Sequence, residues 1–183
     1  MSAEPLPEFR YHPDPVATGS VVASDRPCRC CGRARGYIYT GPVYAEEELE
    51  QALCPWCIAD GAAHAKFGAE FTDANSVGDQ GEWPAVPDEV VVAVSQRTPG
   101  FSGWQQERWF SCCDDAAAFL GSMGRVDLER LGAEAIAAVK AECGYDGKEW
   151  SEYFAELNRD FGPTAYLFRC LHCGRLGGYS DFT

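Results

Sequence analysis

Histidine, methionine and positive charge are scarce in this sequence. Three His and two Met stand among 183 residues, and 15 Lys+Arg face 28 Asp+Glu, a formal charge of −13. Catalytic zinc uses His or carboxylate ligands beside an open position, and general-base chemistry most often uses His. The options are few: His12 lies in a Pro-rich stretch, His64 on an expected helix and His172 between two cysteines. A surface or supporting role is the simpler expectation for each. The chain has no Lys-bearing phosphate loop, no His-Glu-x-x-His, no Gly-x-Ser-x-Gly and no His-x-Glu ahead of Cys54-Pro55-Trp56-Cys57. The signatures of P-loop NTPases, zincins, α/β-hydrolases and zinc deaminases are therefore missing. Carboxylates are abundant enough that an acid–base pair assembled only by folding stays open. No apolar run approaches the ~20 residues of a membrane helix, and the start, Met1-Ser2-Ala3-Glu4-Pro5, lacks the basic-then-apolar pattern of a secretory signal. The expectation is a cytoplasmic protein without membrane contact. The shortage of Lys and Arg argues against nucleic acid as a partner.

Cysteine is plentiful, and nine of the ten fall in tight clusters: Cys28, Cys30 and Cys31; Cys54 and Cys57; Cys112 and Cys113; Cys170 and Cys173. Only Cys143 stands alone. In a reducing compartment, paired cysteines read as metal ligands rather than disulfides. Two residues between thiolates let both reach one ion, and tetrahedral Zn²⁺ takes four such ligands. The first expected site joins Cys28-x-x-Cys31-Gly32 to Cys54-x-x-Cys57. Gly32 allows the backbone to curl back with φ > 0, and Pro55 suits the first position of a helix whose positive end faces two thiolates. Cys30 reads as a spare thiol. The second site joins Cys170-x-x-Cys173-Gly174 to the doublet Cys112–Cys113. Neighbouring side chains diverge, so one or both of the doublet bind, and His172, another thiol or an acid is an alternative donor. Two Zn²⁺ ions are expected. A redox dithiol at Cys54 and Cys57 competes with this reading, but capture by the Cys28 and Cys31 pair would silence it.

The fold class expected is α+β. A small mixed domain would carry a zinc-knuckle or treble-clef-like unit and a helical C-terminal half closed by a second zinc knuckle. Residues 1–26, with Pro13 and Pro15, form an extended lead-in, neither helix nor central strand. Residues 27–183 form one compact zinc-binding domain, its N-terminal zinc unit spanning 27–70 and the remainder 88–183. Within it we expect a strand over 37–40, an acidic helix over 45–52, a helix from Cys54 to about Phe67 and a loop over 71–87. The four valines of 89–95 predict a strand, 97–104 a loop and 105–110 a further strand. The helical half would run through 114–120, 127–131, 133–141 and 149–158. In the last, Trp150, Tyr153, Phe154 and Leu157 follow one helical face. Residues 165–169 form a closing strand.

Charge is unevenly placed. Residues 42–92 hold eleven acids and one base, and 107–163 hold twelve acids and six bases. Filling two four-thiolate zinc sites would bring the total to roughly −17. Such a body attracts a basic protein and speeds the encounter.

Several blocks together resemble the bacterial CbrC family: Tyr11-His12-Pro13-Asp14-Pro15, Gly36-Tyr37-Ile38-Tyr39-Thr40-Gly41-Pro42, Cys54-Pro55-Trp56-Cys57-Ile58-Ala59-Asp60-Gly61, Arg97-Thr98-Pro99-Gly100-Phe101 with Gly103-Trp104-Gln105, and Leu167-Phe168-Arg169-Cys170-Leu171-His172-Cys173-Gly174. The resemblance implies a small cytosolic protein linked to tolerance of a DNase colicin. The resemblance further implies a non-enzymatic immunity protein that binds and neutralises a basic nuclease-type toxin. In that family a His-Cys pair stands where this chain has Cys112–Cys113, and another cysteine follows where this chain has Ala117. The second ligand set therefore departs from the family pattern. Glu46, Glu47, Glu50, Asp73, Asp79 and Glu82 are the expected partner-binding acids. Trp56, Trp83, Phe101 and Trp104 are candidate aromatic anchors, Trp83 and Trp104 above all, because binding hot spots favour Trp. A zinc-stabilised regulatory or adaptor protein of a stress or envelope response, and an unrecognised zinc enzyme, are the alternatives.

Overall fold

The computed structural model describes residues 4–78 and 83–182. Its N-terminal part is built around a two-stranded antiparallel sheet, β1 (Val21–Ser24) and β2 (Gly36–Tyr39), paired Val21 to Tyr39. The lead-in is thus not merely extended chain. It contributes β1, and Phe9, Tyr11 and His12 are buried. Tyr11 O also accepts from Phe119 N at 2.8 Å, tying the lead-in to the C-terminal sheet.

Residues 45–52 do not form the expected helix. Their backbone bonds outward: Arg29 N donates to Ala52 O and Tyr39 N to Leu53 O, at 2.8 and 2.9 Å. The segment is bends and turns, with φ 50 at Gln51. The helix expected from Cys54 breaks in two, α1 (Pro55–Ala59) and α2 (Ala62–Phe67), because Gly61 takes φ 78 between them. Pro55 does open α1, as the sequence suggests.

Residues 89–95 form no strand. They lie within helix α3 (Asp88–Arg97). Pro87 precedes it, Asp88 and Glu89 lie in its first turn and Arg97 in its last, so charge at both ends favours the macrodipole. Valine's preference for strands spans only about 1 kcal/mol and yields to context: Val94 is buried, and Ser95 O accepts from Phe71 N at 2.7 Å.

Residues 105–110 are likewise irregular, with a parallel bridge of Trp109 to Val77. A short hairpin follows, β3 (Ser111–Cys112) with β4 (Asp115–Ala116). The segment 114–120 is therefore not helical. Cys113 and Asp114 both have φ 58, the positive-φ pair of a type I′ turn. The chain then runs into β5 (Ala118–Met123).

Helices α4 (Arg125–Leu131), α5 (Ala133–Cys143) and α6 (Gly147–Glu156) match the helical half read from the sequence. β6 (Thr164–Arg169) and β7 (Leu176–Asp181) complete an antiparallel sheet of order β5-β6-β7. β6 shows why this sheet forms. Ala165 and Leu167 pack with Leu128 and Val139 of the helices, while Tyr166 and Phe168 enter an aromatic cluster with Phe101, Trp109 and Phe119. Alternate side chains leave opposite faces of a strand, so both faces of β6 are buried. A third core surrounds the N-terminal cysteines, with Leu49, Leu53, Ile58 and Phe71.

Candidate metal centres

Both expected tetrads assemble. The ligand atoms of Cys28, Cys31, Cys54 and Cys57 lie within 4.8 Å of one another, and so do those of Cys112, Cys113, Cys170 and Cys173. All ten cysteines are free thiols. A Zn–S bond of 2.3 Å sets tetrahedral sulfurs about 3.8 Å apart. Here Cys28 to Cys57 and Cys31 to Cys54 are each 3.9 Å, Cys112 to Cys113 is 3.6 Å and Cys112 to Cys173 is 3.7 Å. Both sets fit a tetrahedral, thiophilic ion. Such an ion would be held by four protein sulfurs, with no ligand position left for water.

The two knuckles share one backbone design. In the first, Cys28 N donates to Arg33 O at 2.9 Å and Gly32 N to Cys28 O at 2.7 Å. In the second, Cys170 N donates to Arg175 O at 2.8 Å and Gly174 N to Cys170 O at 3.1 Å. The curl needs φ 72 at Gly32 and 75 at Gly174, which glycine adopts without steric cost. It also turns N–H groups toward sulfur. In the second knuckle Cys173 N reaches Cys170 Sγ at 3.5 Å, while at the first centre the facing pair also contributes, Cys54 N reaching Cys28 Sγ at 3.2 Å. Hydrogen bonds from the Cys54 thiol and from the backbone N–H groups of Cys31, Cys54 and Cys30 bring the Cys28 thiol down to about 4. At Cys170 burial opposes ionisation, but the N–H groups of Cys173 and His172 outweigh it and lower the thiol to about 6. Each tetrad thus holds one sulfur ready to ionise first.

The second tetrad uses both cysteines of the doublet. Side chains of adjacent residues diverge in regular structure, but the type I′ turn gives Cys113 φ 58 and swings both sulfurs to one side. His172 is not a ligand here. Its Nε2 lies 2.8 Å from Asp115 Oδ2, while Tyr11 donates its hydroxyl to Asp115 Oδ1 at 2.8 Å and Arg10 pairs with the same carboxylate. Burial alone would raise Asp115, yet His172, Tyr11 and Arg10 together hold it below the usual carboxylate range. This cluster ties the lead-in to the second knuckle. Cys30 stands beside the first tetrad, outside the ligand set, with burial pushing its thiol up. Cys143 Sγ contacts Lys140 O at 3.2 Å at the end of α5.

A basic frame around the first tetrad went unread in the sequence. Arg33, Arg35 and Lys66, with Asp60, line a groove beside Cys31 and Cys57. The Arg35 guanidinium lies 4.2 Å from the Trp56 ring centre and bonds Glu4. Lys66 donates to Cys30 O at 3.0 Å. A zinc tetrathiolate carries net charge −2, which these cations offset. The spacing of Arg26, Arg29, Arg33 and Arg35 through the knuckle was the available signal.

The expected partner-binding residues scatter. Glu46 and Glu50 are exposed, and Glu47 is exposed but paired with Arg29 at 2.8 Å. Asp73 caps the 3-10 turn Ala74–Ser76, accepting from Asn75 N. Asp79 and Glu82 lie outside the described residues. Trp83 is a core residue, edge-on to Phe110 with Arg108 stacked on it. Its size and apolar neighbours put it inside, so it is not an available anchor. Phe101 is buried in the aromatic cluster, and Trp56 packs at the first tetrad. Trp104 is 41% exposed, with Nε1 donating to Thr164 Oγ1.

No helix among the described residues is long and apolar enough to cross a membrane. No solved structure matches the chain significantly. The UPF0167 protein PA1536 of Pseudomonas aeruginosa is 47% identical over 180 residues, 98% of each chain. UPF0167 proteins Mb2317 of Mycobacterium bovis and MT2352 of Mycobacterium tuberculosis are each 51% identical over 183 residues, 97% of this chain and 94% of theirs. With a family model matching residues 6–182, the chain belongs to the uncharacterised protein family UPF0167.

Proposed function

We propose that this protein is a non-enzymatic binding protein of the cytoplasm whose fold is held by two structural Zn²⁺ ions. The observation that carries the reading is the pair of complete thiol tetrads, each able to fill a tetrahedral ion with protein ligands alone. Free thiols at all ten cysteines are consistent with a reducing compartment. The finer reading is an immunity protein that neutralises a basic, nuclease-type toxin, in keeping with the resemblance to the CbrC family. Glu46, Glu48 and Glu50 support it. They are exposed on one loop and make no side-chain ion pair with any described residue. An acidic face of this kind steers a basic partner and blocks its phosphate-binding surface.

Two measurements test the two levels. Native mass spectrometry should find two zinc ions per chain; a metal-free, folded chain overturns the zinc reading. Association with a basic nuclease domain, followed by surface plasmon resonance, should slow steeply with salt and with Glu46→Gln, Glu50→Gln. An on-rate indifferent to both sinks the toxin reading but leaves the zinc reading standing. A regulatory adaptor is the second reading, favoured by the exposed aromatics Trp104, Phe161 and Phe182; capture of a non-nuclease partner lost in Trp104→Ala would support it.

A further inference from the structure

The sequence blocks that hold no cysteine meet around a cavity that no cysteine lines. His12 of the lead-in is fully buried. Its Nδ1 donates to Pro99 O at 2.7 Å, which leaves Nε2 to accept from Thr18 Oγ1 at 2.7 Å. Pro99 is an acceptor only, so this tautomer is dictated by its carbonyl. Tyr39 makes the matching tie on the other side: its hydroxyl donates to Pro42 O at 2.8 Å and accepts from Gly100 N at 3.1 Å. Gly100 must be glycine, because a Cβ there would lie 1.8 Å from Phe71 O. Gly41 must be too, since a Cβ would meet the Tyr39 ring at 2.5–2.8 Å. Three segments are therefore locked to one another by buried polar contacts.

What they enclose is a half-open cavity of about 190 Å³. Thr18, Ser20, Thr40, Ser102 and Ser122 put hydroxyls on its wall, and Phe101 and Phe119 supply its apolar part. No charged residue lines it. The hydroxyls divide by role. Thr18 commits its proton to His12, so Ser20 donates to Thr18 Oγ1 at 3.4 Å, and Thr40 commits its proton to Gly19 O at 2.8 Å; Thr18 and Thr40 each keep a lone pair with which to accept. The hydroxyls of Ser102 and Ser122 make no bond to any described residue and are free to donate. An uncharged ring of hydroxyl donors and acceptors matches a small molecule with hydroxyls around its edge.

We infer that this cavity binds one uncharged, polyhydroxylated small molecule of monosaccharide size, with Ser102 and Ser122 donating to it and Thr18 and Thr40 accepting from it. His12 is a positioning residue that fixes the direction of the Thr18 hydroxyl. The site is independent of both tetrads and of any protein partner.

The test uses the zinc-loaded full chain and three probes: D-glucose, myo-inositol and glucose 6-phosphate. A ligand of this size held by a few hydrogen bonds should bind with a Kd of roughly 1–10 mM. In ¹H–¹⁵N spectra, glucose or inositol should shift the amides of Thr18, Gly19, Thr40, Gly41 and Ser102. The phosphorylated sugar should bind at least about tenfold more weakly, since an uncharged wall leaves its dianion unpaired. Ser102→Ala, at an exposed position, should weaken binding about three- to tenfold. Ser122→Leu should fill the cavity and abolish the shifts, with its own spectrum reporting that it folds. The inference is overturned if neither neutral probe shifts these amides at ~50 mM, several times the expected Kd. It is overturned equally if the shifts survive Ser122→Leu in a folded variant, or if the anionic probe binds best.

Discussion

His12 shows at the residue scale how burial decides a charge state. Burial outweighs the hydrogen bond to Pro99 and a nearby Asp14, and takes the imidazole down to about 4 from 6.5. The folded protein therefore keeps His12 neutral while the unfolded chain protonates it. Between pH 6.5 and 4 the unfolded state binds the extra proton, so stability falls as pH falls through that window and is unaffected above it. The loss by pH 4 is roughly 3 kcal/mol from the difference of about 2.5 units. Urea unfolding midpoints at pH 7, 6 and 5 should show this slope in wild type, and His12→Gln should flatten that share of it. Thiolate protonation adds its own slope to both proteins and cancels in the difference. Trp83 makes a second residue-scale test. As a buried ring against Phe110 and Tyr179, its replacement in Trp83→Ala should cost about 3–5 kcal/mol. Thermal melting unchanged from wild type would return Trp83 to the surface role first expected of it.

At the scale of elements, the hairpin β3–β4 decides whether a second metal centre exists. Its two-residue turn places Cys113 beside Cys112, and it depends on positive φ at two non-glycine residues. Left-handed backbone costs an L-residue about 1–2 kcal/mol and suits Asn, Asp or Gly far better than β-branched residues. Asp114→Gly should keep or raise stability, while Asp114→Val should loosen the turn and the tetrad with it. Co²⁺ substitution gives the readout, since the thiolate charge-transfer absorption counts intact tetrathiolate sites. We expect two sites' worth in Asp114→Gly and close to one in Asp114→Val; an equal signal in both would show that the turn is not what aligns the doublet. The same reasoning explains the missed strands. A run of apolar residues at 116–119 suits a buried strand as well as a helix, and only the turn before it and the partner β6 beside it choose. The valines of α3 misled in the opposite direction, because helix ends with favourable charge and a buried seat for Val94 outweigh a weak strand preference.

For the whole molecule, the two tetrads differ in exposure, and this sets the order in which metal should leave. In the first only Cys31 is exposed, whereas Cys113 and Cys173 are both exposed in the second. The first is also wrapped by Leu49, Leu53 and Ile58 and flanked by cations. A chelator should release zinc in two phases, the faster lost in Cys173→Ser. Cys28→Ser should unfold the N-terminal unit, because structural zinc contributes on the order of 10 kcal/mol to a small domain. Circular dichroism of Cys28→Ser melting like wild type would contradict that unfolding, and a single release phase would contradict the order of metal loss.

Which cysteines belong to one knuckle is written in the chain itself: three bonds and a glycine after Cys31 and after Cys173 confine each pair to one turn, whatever surrounds it. Pro55 at the head of α1, the face of α6 and the closing strand β6 are legible for the same reason, since each rests on neighbours within a few residues. Which knuckle meets which pair, and on which side of Cys113 a sulfur points, rest on contacts between residues tens of positions apart. So does the meeting of His12 with Pro99 and of Tyr39 with Gly100 around one cavity. Packing of the three cores settles those distances, and no local preference in the chain carries enough energy to settle them alone.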